Sequence, residues 1–333
     1  MRCQCCQNEV EGYQLNNLFI DSNELFMNVI KLNPELELEF HGDILYICDD
    51  CWAKVITYCP ECHEKVAKGT LCSCYDDHIM NYHNKAIVFP KYSGHVKFPK
   101  LRFGLEIETK FHGDCSAHRK ALGAFTKVLG RELCKFKYDG SLGPKGAEFV
   151  TMPLYYEHII NLKKKFTMAF DTYRSLGGYS WEDKDTGCHI HLSKDAFISR
   201  KHLETFYLGM TKNIRFIHRI AKRGENYWVE HPMKFFKFNK KFKNISQLAF
   251  AVTSGYKIDR HTFVNLNNKD TVEVRIYKGN LKWSSVMSYI QHCYSMFEYT
   301  MLCTLNKISF SIEGYKEYVI KNKTRFAELA KNI

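Results

Sequence analysis

The cysteine spacing in the first 74 residues restricts this chain more than any other feature. Nine of its fourteen cysteines lie there: Cys3, Cys5, Cys6, Cys48, Cys51, Cys59, Cys62, Cys72 and Cys74. Three CxxC pairs stand out, Cys3–Cys6, Cys48–Cys51 and Cys59–Cys62, and Cys72–Cys74 adds a CxC pair. A CxxC turn directs two thiolates at one tetrahedral ion, and two such turns complete a zinc site. Four pairs therefore imply two structural Zn2+. Cysteines buried as small apolar residues would not repeat that spacing four times. In a reducing compartment this density points to metal rather than to disulfides, and a module of about 80 residues needs such support to fold. Sequential sharing joins Cys3 and Cys6 with Cys48 and Cys51, and Cys59 and Cys62 with Cys72 and Cys74. A cross-braced arrangement is the alternative, and Cys5, His63, His78 and His83 are available substitutes. Four-thiolate sites leave zinc no open position, so the module reads as a structural or protein-docking element.

Charge divides the chain in the same place. Residues 1–90 carry six Lys and Arg against fourteen Asp and Glu, whereas the rest carries 42 against 22. The basic part suits an anionic ligand; the acidic part does not suit a phosphate backbone. We read residues 1–80 as a zinc-ribbon or knuckle module, 81–100 as a linker with two prolines, and 101–333 as a catalytic domain. No apolar run reaches the roughly 18 residues of a membrane span, and the start MRCQCCQNEV lacks a signal-peptide core. A cytoplasmic protein without a membrane partner is expected.

Within the basic part, three segments carry polar pairs at strand spacing, where residues i and i+2 share a face. LRFGLEIETKF (101–111) places Glu106 with Glu108, TGCHIHLSK (186–194) places His189 with His191, and TVEVRIYKG (271–279) places Glu273 with Arg275. KYDGSLGPKGAEFVTMPL (137–154) adds Glu148, with Asp139 and Ser141 in its loop, and DRHTFVNLNN (259–268) adds Arg260, Asn265 and Asn267. Cys188 falls on the opposite face from His189 and reads as core. Helical patterns over about 116–132, 155–175, 200–222, 283–304 and 313–330 would cover one face of the sheet. The other face would gather carboxylates, imidazoles and a guanidinium, a set that suits Mg2+ or Mn2+ and phosphoryl transfer. No Walker motif or kinase signature is present.

These motifs, in this order, resemble those of the amidoligase family, grouped with glutamine synthetase and glutamate–cysteine ligase. The residues concerned are Phe103 to Glu108, Asp139 to Ser141 with Glu148 to Leu154, Gly187 to Ser193, and Val264 to Leu266 with Thr271 to Gly279. The family is common in bacteriophages and bacteria, and its phage members often carry zinc-binding modules in front. The resemblance implies an α+β fold, a mostly antiparallel curved sheet of glutamine synthetase type with helices on one face. It implies ATP-dependent joining of a carboxylate to an amine through an acyl phosphate. Glu106, Glu108, Glu148, His189 and Glu273 would bind Mg2+ or Mn2+, and Glu148 would also act in catalysis. Arg275, assisted by Arg260, would stabilise the phosphoryl group in flight. ATP would lie against His191, Ser193, Lys278 and Asn265. Glutamine synthetase has two acidic residues around the position of Glu148; here only Asp139 accompanies it.

Two other readings compete. A metal-dependent hydrolase would use His189 and His191 but leaves the Glu273–Arg275 pair unexplained. A non-catalytic zinc-containing adaptor would bind nucleic acid or protein through the basic domain, and KFFKFNKKFK (234–243) interleaves basic and aromatic residues as single-strand binders do. Nucleic acid is the less favoured partner, because the acidic and basic strand pairs needed for ligation are all in place.

Overall fold

The computed structural model describes residues 2–3, 6, 8–11, 15–19, 44–58, 65–67, 79–80, 89–113, 115–143, 145–182, 186–224, 231–232 and 242–333. The chain divides into two units, Met1–Asn84 and Lys85–Ile333. In the first, β1 (Leu15–Phe19) pairs antiparallel with β2 (Ile44–Cys48). The chain passes directly from β2 into α1 (Asp49–Val55), whose first turn holds Asp49 and Asp50, where the helix dipole favours negative charge. β3 (Ile56–Tyr58) pairs antiparallel with β4 (Lys65–Ala67), and β5 (Ile79–Met80) is a two-residue strand.

The second unit is built on β6 (Phe103–Phe111), β7 (Cys134–Lys137), β8 (Gly146–Thr151), β9 (Gly178–Tyr179), β10 (Gly187–Ser193), β11 (Val264–Asn265) and β12 (Thr271–Lys278). They follow the order β11–β12–β10–β6–β8–β7, with β9 paired to the end of β6. Every pairing among them is antiparallel. Burial along β6 alternates strictly: Phe103, Leu105, Ile107, Thr109 and Phe111 are buried, and the residues between them are half-buried. The apolar face is covered by α2 (Cys115–Leu129), α4 (Lys163–Ser175) and α8 (Trp283–Leu305). Phe125 of α2 and Phe166 and Phe170 of α4 pack on Phe149, and Tyr289 of α8 stacks on Tyr277.

This is an α+β architecture with an antiparallel sheet. Several helices are shorter than the sequence pattern predicts. The 155–175 stretch is two helices, α3 (Tyr156–Asn161) and α4, parted at Leu162. The 200–222 stretch is α5 (Arg200–Thr211) and α6 (Ile214–Ala221), parted at Asn213, whose φ and ψ of −106° and 66° are not helical. A helix unforeseen in the sequence, α7 (Ile245–Thr253), starts at Asn244, whose side chain accepts from Gln247 N. α9 (Ile312–Lys321) and α10 (Ala327–Ala330) replace the single helix expected over 313–330. No helix of the described residues is long and apolar enough to cross a membrane. The described part of the 81–100 segment, residues 89–100, has neither helix nor strand but is anchored: Lys97 pairs with the buried Glu298, and Phe98 packs edge-on against Tyr294 and Phe297.

Candidate functional site

Strand register assembles the polar face. Glu106 of β6 lies opposite His189 of β10, and Glu108 opposite Glu148 of β8. His191 lies opposite Glu273 of β12, which is itself opposite Asn265 of β11. Directly opposed residues share a face, so four adjacent strands bring Glu106, Glu108, Glu148, His189, His191 and Glu273 together. A β-bulge completes the arrangement. Cys188 pairs with Tyr277 but Ile190 pairs with Val274, so β12 sets two residues, Arg275 and Ile276, against His189 alone. The bulge lets Arg275 stay with Glu273 while Val274 and Tyr277 both face the core, each fully buried.

The distances make one cluster. His189 Nδ1 is 3.5 Å from Glu106 and 3.7 Å from Glu273 Oε1, and its Nε2 is 3.8 Å from Glu108. His191 Nε2 is 3.2 Å from Glu106, while its Nδ1 lies 3.1 Å from Thr271 Oγ1. Arg275 Nη1 donates to Glu273 Oε1, and Asn265 and Asn268 both donate to Glu273 Oε2, at 2.8 and 3.0 Å. Gly187 N donates to Glu108.

Charge within the cluster is uneven. Burial pushes the Glu148 carboxyl well above the carboxylate range, Glu106, Glu108 and Asp139 add repulsion, and Lys137 opposes them. For Glu106 and Glu273 burial acts in the same upward direction, but positive charge wins. His191 and His189 hold Glu106 well down, and His191, Arg275 and His189 lower Glu273. Burial depresses His191, yet Glu106 and Glu273 raise it on balance.

Among the described residues, two buried imidazole nitrogens, His189 Nδ1 and His191 Nε2, make no well-aligned hydrogen bond although carboxylate oxygens surround both. The buried Arg275 Nε likewise has no partner among the described residues. A buried polar atom without a partner is costly. Imidazole and carboxylate atoms that converge without well-aligned hydrogen bonds are what a cation would organise. Among the described residues, two triads bring one ligand atom from each member within 4.8 Å of the others: Glu106, Glu148 and His189, and Glu106, His191 and Glu273. Glu106 belongs to both. Oxygen donors with one imidazole in each set fit Mg2+ or Mn2+.

The other sequence-selected residues are placed as follows. Asn265 is buried against Glu273, and Ser193 is half-buried at the end of β10, where its Oγ accepts from Arg102 N. Lys278 is half-buried opposite Gly187. Arg260 is exposed in the turn before β11, and no hydrogen bond or ion pair among the described residues joins it to the cluster. Cys188 is fully buried on the opposite face. The sequence reading overlooked Lys137, opposite Glu148 on β7; Asn268, on Glu273; and Arg223, near Gly187. Lys137 follows β8 pairing and Asn268 follows loop geometry, so neither leaves a local signature.

In the first unit, the Sγ atoms of Cys3, Cys6, Cys48 and Cys51 lie within 4.8 Å of one another, with Cys6 and Cys48 3.8 Å apart. A tetrahedral ion with Zn–S near 2.3 Å separates its sulfurs by about 3.8 Å. Cys48 N also donates to Cys3 Sγ at 3.2 Å. This set fits one structural Zn2+ shared by the first two pairs. Cys5, Cys59, Cys62, Cys72 and Cys74, hence the second expected zinc, lie outside the described residues, as do residues 234–241 of the basic-aromatic run.

No protein-family model matches the sequence, and no curated protein matches it. Among solved structures, the chain is similar to one in the crystal structure of the complex between prokaryotic ubiquitin-like protein Pup and its ligase PafA. The two are 10% identical, the TM-score is 0.32, and the match covers 61% of this chain. It spans 46% of that chain, less than half its length. That likeness is distant, and the reading of the site rests on the cluster's own geometry.

Proposed function

We propose that the second unit is an ATP-dependent carboxylate–amine ligase. The observation that carries this is the single polar face on which Glu106, Glu108, Glu148, His189, His191 and Glu273 converge with Arg275. The two triads would hold Mg2+ or Mn2+ with Glu106 common to both. Such cations neutralise phosphate oxygens during phosphoryl transfer. His191 then serves as a ligand rather than as the phosphate-facing residue that the motif resemblance implies, because its free nitrogen points at Glu106.

Arg275 is oriented by Glu273, and its buried Nε–H is unpaired among the described residues. That donor suits a phosphoryl oxygen as charge develops on it. In the reaction, the substrate carboxylate takes the terminal phosphoryl group of ATP and ADP leaves. The amine then attacks the acyl carbon and phosphate leaves, giving an amide. The order of the sequence motifs supports the same class. Arg260 takes no part in this account, since its side chain is exposed before β11. The four-cysteine module is the docking element for a protein partner, and the carboxylate and amine substrates are open to a screen.

Calorimetric titration of ATP into the full chain with Mg2+ tests the proposal. Binding that needs the cation and is lost in Glu106→Ala supports it. Cation-independent binding, or none with the protein folded, removes it and favours the adaptor reading.

A further inference from the structure

The loop between β11 and β12 does more than connect them, and what it does rests on the cation reading given above. A carboxylate offers about four lone-pair positions. On Glu273 both positions of Oε2 are taken, by Asn265 Nδ2 at 2.8 Å and Asn268 Nδ2 at 3.0 Å. Arg275 Nη1 takes one position of Oε1. One position remains, on the atom that lies 3.7 Å from His189 Nδ1.

The amides are themselves fixed. Asn265 Oδ1 accepts from Asn267 N at 2.9 Å, and Asn267 Nδ2 donates to Ile258 O at 2.7 Å. Lys194, just beyond β10, ties the same loop down: its Nζ donates to Leu266 O at 2.7 Å and to Asn268 O, and its backbone N donates to Asp270 O at 2.9 Å. Among the described partners, this leaves Oε1 as the oxygen with a position open to an ion.

We infer that Asn265 and Asn268, strapped by Lys194, hold Glu273 to one-oxygen ligation and thereby select a small octahedral cation, Mg2+ or Mn2+, against Ca2+. The physical reason lies in coordination. Ca2+ takes six to eight oxygens in flexible geometry and favours two-oxygen carboxylate ligands, whereas Mg2+ demands a near-octahedral shell of single oxygens. Asn265 and Asn268 are positioning residues: neither needs to touch the ion. The motif resemblance implies Asn265 against ATP; its side chain is instead committed to Glu273.

The test is Mn2+ binding to the full chain, followed by the electron paramagnetic resonance of free Mn2+, with Ca2+ as competitor. It compares wild type with Asn268→Ala and with Asn265→Ala/Asn268→Ala. Asn268 is only half-buried, so its single variant keeps the fold if the double one does not. Freed from the amides, Glu273 should offer both oxygens. The Ca2+-to-Mn2+ affinity ratio should then rise about tenfold, the scale on which outer partners tune a metal site. An unchanged ratio in both variants, with wild-type Mn2+ binding intact, overturns this inference alone. A wild-type protein that takes up no Mn2+ overturns the cation reading together with it.

Discussion

Glu148 sits where burial and the charge of Glu106 both oppose its ionisation, while Lys137 pulls the other way. Both pressures favour the protonated carboxyl, and a bound cation would favour the ionised one. Glu148→Gln mimics the protonated form. Its melting temperature in chelator should therefore match the wild type, while the rise on adding Mn2+ should vanish; differential scanning calorimetry reads both. Glu106 and Glu273 shift the other way, because His191 and His189, joined by Arg275 at Glu273, outweigh burial there. The sequence shows six candidate side chains but not this division, because it depends on which strand lies beside which.

At the scale of elements, β10 decides the site by lying between β6 and β12. Its first residue, Gly187, leaves room for the cluster: a methyl group there would lie 2.5 Å from Arg223 Nη1, 3.0 Å from His189 Nε2 and 3.2 Å from Glu108 Oε2. Gly104 of β6 faces the same side, yet a methyl group there meets only His191 Cβ, at 3.5 Å. Gly187→Ala should cost about 1–3 kcal/mol by crowding and weaken Mn2+ binding. Gly104→Ala should leave both intact, and urea unfolding with Mn2+ titration distinguishes them. The pairs on β6, β10 and β12 were legible because residues two apart on a strand share a face, an alternation that the burial of β6 follows strictly. The bulge in β12 was not, since it arises only against β10. The breaks at Leu162 and Asn213 escaped because the apolar pattern runs on through them. Helix α7 was announced by the cap residue Asn244 with Gln247 three positions on, a short signal beside a basic run.

The whole second unit carries histidines that its core keeps neutral. Burial holds His118 and His202 down to about 4, and His292, whose Nδ1 lies 2.9 Å from Tyr277 Oη, down to about 3. The unfolded chain protonates such groups near pH 6.5. Their contribution to stability is complete above that pH and is lost as pH falls from about 6.5 toward 4 and 3. For His292 the loss amounts to about 2 kcal/mol at pH 5. Urea unfolding in chelator should show this slope between pH 7 and pH 5, and His292→Gln should reduce it by about a third, since His118 and His202 still contribute. The central claim, that one sheet face gathers a cation site around Glu106, has a direct test. Crystals of the full chain soaked in Mn2+ should give anomalous scattering peaks beside Glu106, one within reach of Glu148 and His189 and one within reach of His191 and Glu273. Peaks only at the cysteines or elsewhere on the surface, with the Glu106 face bare, would contradict the account.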